Sequence, residues 1–271
     1  MHCVPPVIRV VDVSKEYMAS KGALKVVDDA NLDVEKGAFV TLIGPSGCGK
    51  STLLNMIGGL ISPTTGTIYI DDEEVKGPKP DKIAMVFQDP SLYPWRTVQK
   101  NVEFGLEVRG VPQSERKSRA SKYLKLVGLE AFSHYYPTQI SGGMQQRVSV
   151  ARALALEPEV LLMDEPFGAL DEQSRISLGA ELTEIWRKTG KTIVFVTHSL
   201  LEAANLATHV AVMSARPGSI IDFFSIEAEW PRFPEDPEIV EARKRMWSHI
   251  NLQSIKQAET LSTADNDNVP R

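Results

Sequence analysis

Residues Gly44 to Thr52, which read GPSGCGKST, combine glycines, a lysine and hydroxyl groups at a spacing that suits the binding of a phosphate. Two apolar runs flank them, Phe39 to Ile43 and Leu53 to Ile57, so the pattern predicts a strand, a tight glycine loop and a helix. Glycines let main-chain N–H groups approach an anion, and the positive end of the following helix points at the same place. Within this phosphate loop we expect Lys50 to reach the β- and γ-phosphates of a nucleotide and the Ser51 hydroxyl to ligate Mg²⁺.

A pair of acids follows a second apolar run. Val160 to Met163 are four consecutive apolar residues, as in a strand buried on both faces of a parallel sheet, and Asp164 and Glu165 come directly after them. Phosphoryl transfer to water needs one carboxylate that holds Mg²⁺ and one that aligns and deprotonates the water, and we assign these roles to Asp164 and Glu165. The alternative, a strand end followed by an acidic turn, is the weaker interpretation in a chain that also has a phosphate loop.

Three further polar residues stand at predicted strand ends. Gln88 follows the apolar run Ile83 to Phe87, which makes it a candidate contact for Mg²⁺ or water, since open α/β sheets bind ligands at the carboxyl ends of their strands. His198 follows the run Ile193 to Val196 and could donate a hydrogen bond to a γ-phosphate, although a lone histidine is usually a bystander. Tyr17 ends the segment VSKEY, which follows the first predicted strand, and an aromatic ring there either stacks on an adenine or only closes a strand.

Ser141, Gly142 and Gly143 introduce a helical pattern that Ser141 would cap and Pro158 would stop. Two glycines at a helix start leave its N–H groups bare, which suits an anion. An ordinary capped helix explains the same residues equally well.

An earlier helix is predicted from Ser114, as its N-cap, to Gly128. Its apolar face would carry Ala120, Tyr123, Leu124 and Val127. We interpret the charged residues between them as a solvated face, because no aromatic residues are interleaved as in a nucleic-acid site; they are Arg116, Lys117, Arg119, Lys122 and Lys125.

The remaining patterns predict an antiparallel sheet beside the strand of the phosphate loop, a final core strand and a terminal helix. The sheet strands are Val7 to Val11, Leu24 to Val27 and Thr67 to Ile70, with a turn at Asp71 and Asp72. The last core strand is His209 to Met213, followed by Arg216, Pro217 and Gly218, and the helix is Asp236 to Ile250.

The totals are those of an ordinary soluble protein: of 271 residues, 42% are hydrophobic and 24% charged. The net charge of −5 predicts no general attraction to nucleic acid. No apolar run approaches the ~18 to 20 residues of a spanning helix, and the start lacks a signal peptide's layout, so we expect the chain to stay in the cytosol. Cys3 and Cys48 are expected to be unpaired thiols of a reducing compartment, with bound nucleotide shielding Cys48.

Together these segments resemble the ATP-binding subunit of an ABC transporter over Val7 to Met213. The resemblance rests on six motifs in the family's order: Walker A (Gly44 to Thr52), the Q-loop (Gln88), the signature ISGGMQQRV (Ile140 to Val148), Walker B VLLMDEP (Val160 to Pro166), the D-loop GALD (Gly168 to Asp171) and the switch histidine (His198). It implies an α/β fold of the P-loop NTPase (RecA-like) type, with a mixed sheet core, an antiparallel β subdomain and an inserted α-helical subdomain. The domain would span residues 7–250, with the helical insertion at residues 92–158 and a disordered tail at residues 251–271.

The resemblance also implies the roles of the site residues. Glu165, His198 and Gln88 would be catalytic, and Ser51, Gln88 and Asp164 would hold Mg²⁺. ATP would contact Tyr17 through its adenine and the remaining residues through its phosphates: Gly44, Pro45, Ser46, Gly47, Cys48, Gly49, Lys50, Ser51, Thr52, Ser141, Gly142, Gly143 and Asp164. One residue departs from the family pattern: Met144 stands where the commonest signature has glutamine. This departure puts in doubt only a contact made by the side chain at that position.

The mechanism implied by the resemblance requires partners. A signature loop cannot reach the Walker A site of its own chain, so two copies would pair head to tail around two ATP molecules. Such an ATPase resembles bacterial importer subunits, which lie at the cytoplasmic face of the inner membrane and work with two transmembrane permease subunits and, indirectly, a substrate-binding protein, without nucleic acid. PSLYPWRTVQKNV and SARPGSI look most like the nitrate, sulfonate and taurine group, although importers of thiamine precursors and bicarbonate share that look.

Two other functions fit parts of the pattern. A soluble ABC-type ATPase could act on a macromolecule in DNA repair, translation or iron–sulfur assembly, but the chain has neither a long coiled-coil insertion nor a second cassette. The iron–sulfur type is harder to exclude by architecture. A regulator that binds ATP without hydrolysing it is disfavoured by the intact acid pair Asp164 and Glu165.

Overall fold

The computed structural model describes residues 6–19, 22–168 and 170–266. The chain divides into two compact units, the first drawn from Met1–Gly77 and Val196–Arg271 and the second from Pro78–Phe195. Three predictions fall partly outside the described residues. They concern the thiol Cys3, Ala169 in the predicted D-loop, and residues 267–271 of the predicted tail.

The described strands are β1 (Pro6–Ala19), β2 (Gly22–Glu35), β3 (Phe39–Ile43), β4 (Thr65–Ile70), β5 (Glu73–Glu74), β6 (Ile83–Val86), β7 (Val160–Asp164), β8 (Thr192–Val196), β9 (His209–Met213) and β10 (Ile220–Ser225). The described α-helices are α1 (Lys50–Ile57), α2 (Val98–Val108), α3 (Gln113–Leu126), α4 (Gly142–Ala155), α5 (Glu172–Thr189), α6 (Leu200–Leu206) and α7 (Pro237–Asn266). Two short 3₁₀ turns, Glu130–Phe132 and Pro137–Gln139, precede α4.

The first unit contains the predicted antiparallel sheet, in the order β2-β1-β4-β5. Burial alternates along β2 and β4 because one face packs on the core and the other meets solvent; Ala30, Leu32 and Val34 of β2 are buried. The predicted turn after β4 is confirmed, since Asp71 and Asp72 have φ values of 54° and 61°.

The same unit holds a second group of strands in the order β10-β9-β3. Every residue of β3 is buried, as a central strand requires, and β3 pairs in parallel with β9, where Ile43 lies opposite Val212. The prediction that β9 is the last core strand is wrong, because the chain turns at Arg216, Pro217 and Gly218 and returns as β10, antiparallel to β9. A turn that was interpreted as an exit from the sheet is the tip of a hairpin.

In the second unit the strand order is β8-β7-β6, and β6 pairs in parallel with β7. The apolar face predicted for α3 is confirmed, with Ala120, Tyr123 and Leu124 buried. The predicted cap is wrong: Pro112 is the N-cap, its carbonyl accepts the Arg116 N–H at 3.0 Å, and Ser114 lies inside the first turn. The pattern did not predict α5, although Asp171 caps its start and Gly190, with φ of 62°, ends it.

The predicted terminal helix is present as α7, and it continues beyond Ile250 to Asn266, into residues expected to form a tail. Among the described helices, none combines the length and the apolar character that a membrane crossing needs.

Candidate functional site

The phosphate loop joins β3 to α1, so the strand, glycine loop and helix predicted there are observed. Gly47 has φ of 72°, and no heavy atom of the described residues lies within 4 Å of an added Cβ, so its dihedral, not its surroundings, calls for glycine. Gly49 has φ of 110° and is the N-cap of α1. No side chain caps this helix and no acid lies in its first turn, so its positive end is not neutralised from within the helix.

Two glycines of this loop also pack closely against other strands of the first unit. An added Cβ on Gly44 would lie 2.8 Å from the Met213 carbonyl oxygen, at the end of β9. One on Gly49 would lie 2.9 Å from Val27 Cγ2 and 3.0 Å from the Val26 oxygen, in β2. The path of the loop is therefore set by its neighbours as well as by its own dihedrals, which pre-organises the main chain around an anion.

Lys50 folds back over the loop. Its Nζ donates to the carbonyl oxygens of Gly44 at 2.9 Å and Pro45 at 3.0 Å, and only 5% of the residue is exposed. These bonds hold the positive charge of the ammonium against the main chain of a loop whose outer residues, Ser46 and Gly47, are exposed.

Cys48 faces inwards. The residue is 1% exposed, and burial raises the pKa of its thiol, while the Lys50 charge acts in the opposite direction. The sequence led us to expect a thiol that bound nucleotide would shield, but packing of the loop already excludes Cys48 from solvent.

His198 is exposed in the turn between β8 and α6. The preceding Thr197 donates its N–H to the Leu42 carbonyl of β3 at 3.2 Å, which fixes the turn beside the strand that enters the phosphate loop. Ser199 caps α6, with its Oγ accepting the Glu202 N–H at 3.3 Å. Both flanks of His198 are therefore held in place while its ring faces outwards.

Tyr17 lies on β1, opposite Leu24 of β2, in the same unit as the phosphate loop. Its ring is 41% exposed, and Lys15 Nζ stands 5.2 Å from the ring centroid. A partly exposed aromatic ring of this kind can stack on a base.

In the second unit, the acid pair lies at the carboxyl end of β7, and both residues are half-buried. Glu165 has φ of 43°, which is uncommon for a residue with a side chain. A turn follows in which the Gly168 N–H donates to the Glu165 carbonyl at 3.0 Å. Phe167 anchors it, because its 1%-exposed ring packs on Phe195 with 5.3 Å between centroids. The surroundings thus hold Glu165 in a strained conformation of the type concentrated at functional sites.

Gln88 is exposed and reaches the same turn. An added Cβ on Gly168 would lie 3.1 Å from Gln88 Nε2 and 3.4 Å from the Glu165 carbonyl oxygen. The Gln88 side chain therefore lies beside the turn that follows Glu165, at the glycine that opens the predicted D-loop.

The predicted cap of α4 is confirmed, since Ser141 Oγ accepts the Met144 N–H at 3.3 Å. Ser141 and Gly142 are exposed, and an added Cβ on Gly142 would meet nothing within 4 Å. The first turn of α4 carries no acid. This exposed helix start can receive an anion from outside the unit.

Sequence reasoning missed two residues of α4 that hold the loop after β6. Gln146, which is 2% exposed, donates from Nε2 to the Phe87 carbonyl at 3.3 Å. Arg152 donates to the carbonyls of Pro90 at 2.7 Å and Ser91 at 2.9 Å, and burial lowers the pKa of its guanidinium. The sequence carries no local signal for either residue, because the same helix also contains Gln145 and Arg147.

Comparison with known proteins agrees with these features. The sequence profile described as "ABC transporter" matches residues 27–168. The nitrate import ATP-binding protein NrtD of Synechocystis is 48% identical over 213 residues, 79% of this chain and 80% of that protein. The taurine import ATP-binding protein TauB of Yersinia pestis is 43% identical over 235 residues, 84% of this chain and 92% of that protein.

A solved structure extends the likeness to three dimensions. It is the dimeric, post-hydrolysis ATP-binding cassette MJ0796 bound to ADP and phosphate. It is 34% identical to this chain, with a TM-score of 0.73, and the match covers 82% of this chain and 100% of that one. At this identity and score, the two chains share the P-loop NTPase fold.

Proposed function

The chain belongs to the ABC transporter family as an ATP-binding and ATP-hydrolysing subunit, and we propose that it powers a bacterial import system for a small anion or organic solute. The observation that carries the proposal is the phosphate loop: Gly44 and Gly49 leave no room for a side chain, and the Lys50 ammonium is held against the Gly44 carbonyl. This cradle fits a polyphosphate, since it offers main-chain donors, a helix start and a fixed positive charge.

We assign the nucleotide contacts as follows. Tyr17 stacks on the adenine, and main-chain groups of residues 44–52 bind the phosphates. Lys50 pairs with the β- and γ-phosphates. Ser141 to Gly143 of a second copy bind the γ-phosphate, for which the exposed start of α4 is suited.

The hydrolytic step is assigned to groups at the ends of β6, β7 and β8. Glu165 accepts a proton from the attacking water, Gln88 helps to orient that water, and His198 donates a hydrogen bond to the γ-phosphate. Hydroxyl, amide and carboxylate oxygens, the ligand types that Mg²⁺ prefers, are offered by Ser51, Gln88 and Asp164. When bound, the ion would neutralise charge on the phosphates.

We propose that the active unit is a head-to-tail dimer, in which the exposed start of α4 of one copy binds the nucleotide held by the other; the dimeric cassette MJ0796 supports this arrangement. The dimer would sit at the cytoplasmic face of the inner membrane on two permease subunits, with a substrate-binding protein acting on the far side. NrtD and TauB, whose names describe nitrate and taurine import, support a cargo that is a small anion or a small organic solute.

The loop after β6 offers a surface for the permease. Asn101 is fully buried and bonds this loop through both ends of its amide: it accepts the Tyr93 N–H at 2.7 Å and donates to the carbonyls of Tyr93, Arg96 and Thr97 at 3.2, 3.0 and 3.0 Å. Trp95 projects from the loop and is 71% exposed. A rigid loop with an exposed indole is suited to contact a partner protein.

Affinity purification of the tagged chain from a native host membrane tests this function. We expect polytopic membrane proteins to co-purify and Mg²⁺-dependent ATP hydrolysis to accompany them. Recovery only with ribosomes, DNA or a soluble scaffold protein would instead support a macromolecular role, and absence of ATP hydrolysis in an intact membrane complex would contradict the proposal.

A further inference from the structure

The turn formed by residues 214–219, between β9 and β10, packs against the back of the phosphate loop. An added Cβ on Gly218 would lie 2.0 Å from the Cys48 carbonyl oxygen and 3.0 Å from Met213 Cε. Gly218 is not among the glycines with positive φ, so the contact, not the dihedral, excludes a side chain. Because the nearest atom belongs to the main chain of Cys48, a side chain at position 218 would have to displace the phosphate loop itself.

The same turn is bonded to β2. The Gly218 N–H donates to the Val26 carbonyl at 2.9 Å, and the Asp28 N–H donates to the Gly218 carbonyl at 2.9 Å. Val26 is also the residue whose carbonyl closes off the space beside Gly49, 3.0 Å from an added Cβ there. Gly218 and β2 are therefore hydrogen-bonded to each other, Gly218 packs against Cys48, and β2 packs against Gly49.

Ser214 fixes the conformation of the turn that carries Gly218. Its Oγ accepts the Ser219 N–H at 2.9 Å and donates to the Pro217 carbonyl at 3.2 Å. Its main-chain N–H donates to the Ser219 carbonyl at 2.9 Å. Since Ser214 is only 9% exposed, water is poorly placed to replace these bonds.

We propose that the turn of residues 214–219 is a positioning element for ATP binding, in which Gly218 sets the place of the phosphate loop and Ser214 holds Gly218. No atom of the turn needs to touch the nucleotide. Displacing the Cys48 carbonyl would rotate the adjoining peptide N–H groups, which must converge on one anion. This inference rests on the proposed ATPase function, because it names what positions the loop of that site.

The test uses the full chain carrying Cys3→Ser, so that Cys48 is its single thiol. Gly218→Ala is compared with Gly77→Ala, a matched control in the same unit whose added methyl group meets nothing within 4 Å. Two quantities are measured: the dissociation constant for the slowly hydrolysed analogue ATPγS with Mg²⁺, and the rate at which iodoacetamide alkylates Cys48 without nucleotide. We expect Gly218→Ala to weaken ATPγS binding by about tenfold or more and to speed alkylation, because Cys48 must move. Gly77→Ala should change neither.

A second variant covers the case in which Gly218→Ala does not fold. Ser214→Ala adds no atom and removes the hydrogen bonds that the hydroxyl makes within the turn, with the Ser219 N–H, the Pro217 carbonyl and the Ser219 hydroxyl. Like Gly218→Ala, it should weaken ATPγS binding and speed alkylation of Cys48, but by a smaller factor of about threefold. Wild-type values for both quantities in either folded variant would overturn the proposal, as would weaker binding with unchanged reactivity of Cys48. If the unsubstituted chain itself fails to bind ATPγS, the ATPase function falls, and the reactivity of Cys48 alone decides whether Gly218 sets the loop.

Discussion

Gln146 of α4 donates from its side-chain amide to the carbonyl oxygen of Phe87, the residue that precedes Gln88, at 3.3 Å. The helix that begins at the signature glycines is thus bonded to the loop that carries the predicted catalytic glutamine. Arg152, farther along the same helix, bonds the next part of that loop. A displacement of α4 would therefore be transmitted to Gln88 through two side chains.

Replacing Gln146 with leucine should uncouple these two elements. The change keeps the volume nearly constant but leaves the Phe87 carbonyl without this donor, so we expect the free energy of unfolding to fall by about 1 kcal/mol. The kcat for ATP should fall severalfold while KM changes little, since the phosphate loop is not touched. Steady-state ATPase assays and chemical denaturation measure the two effects. The same substitution at Gln113, an exposed residue of α3, is the control. Equal kcat values for Gln146→Leu and Gln113→Leu would show that the bond does not position Gln88.

Glu165→Gln should preserve ATP binding and abolish turnover. An amide keeps the shape of the side chain but cannot accept a proton at neutral pH, so the attacking water would not be activated. ATP-loaded protein should then accumulate as a stable dimer, visible by size-exclusion chromatography with light scattering in the presence of MgATP. Glu130→Gln, an exposed carboxylate in the second unit, serves as the control. Normal hydrolysis by Glu165→Gln would remove Glu165 from the role of general base.

Lys50→Ala should weaken ATP binding by about 10- to 100-fold, the range for loss of a charge-assisted hydrogen bond. The side chain also bonds the Gly44 and Pro45 carbonyls, so the phosphate loop itself should loosen. Equilibrium binding of ATPγS measures the first effect, and amide hydrogen exchange of residues 44–52 measures the second. Lys76→Ala controls for charge, because it removes a largely exposed lysine of the same unit whose Nζ lies 3.2 Å from the Glu74 carboxylate. Unchanged affinity in Lys50→Ala would contradict the assignment of the phosphate loop.

Asp222 attaches α7 to β10, and the strength of this contact should depend on pH. Its carboxylate accepts two bonds from Arg245, both at 2.7 Å, and lies 3.0 Å from His249 Nε2. The Arg245 hydrogen bonds hold the pKa of Asp222 below its usual value despite partial burial. Because folding lowers the pKa of Asp222, the carboxylate stabilises the fold at a pH above its pKa in the unfolded chain, which is about 3.9. This stabilisation is lost as the pH falls through the lower pKa of the folded state.

Asp222→Asn should accordingly lower the free energy of unfolding by about 1 kcal/mol at pH 7, because solvent screens this partly exposed ion pair. The difference from the unsubstituted chain should shrink once the pH drops below about 4. Urea denaturation at several pH values checks both statements. Asp81→Asn is the control, because Asp81 is largely exposed and stands 3.8 Å from Arg109. A difference for Asp222→Asn that does not vary with pH would mean that packing, not ionisation, accounts for it.

The sequence predicted the strands and loops of the site well because each has a strong local cause. β3 and β7 are short runs of apolar residues followed at once by glycines or acids, and Ser141 is followed by a helical pattern that it caps. The N-cap of α3 was misplaced for a local reason too: Pro112 supplies the extended dihedrals that a cap needs without a capping side chain, so Ser114 looked like the better candidate.

What the sequence did not disclose are contacts between distant segments. Nothing local distinguishes Gly218 from any other turn glycine. A glycine is needed there because Cys48, which is far away in the chain, leaves no room for a side chain. Gln146 likewise looks like one more polar helix residue until the Phe87 carbonyl is placed opposite it. β10 was missed because the turn before it was compatible with either an exit or a hairpin, and only pairing with β9 decides between them.

The burial of Cys48 predicts that its thiol is alkylated slowly in the native protein. With 1% exposure and a raised pKa, the folded thiol carries less thiolate at pH 8 than an ordinary cysteine, and an alkylating reagent has little access to it. In the Cys3→Ser background, iodoacetamide should therefore react with the native protein at pH 8 at least about tenfold more slowly than with the urea-unfolded chain. The native rate should rise with pH beyond the range in which the unfolded thiol, with a pKa of about 8.5, is already ionised.

Nucleotide should add little to this protection, because the packing of Gly44 and Gly218 around Cys48 already excludes the reagent. The rate is measured by mass spectrometry with and without MgATPγS, and urea-unfolded protein of the same sequence gives the unprotected reference rate. Fast alkylation of native, nucleotide-free protein that ATPγS then suppresses would mean that Cys48 faces the nucleotide in solution, and the inward placement of its side chain would be wrong.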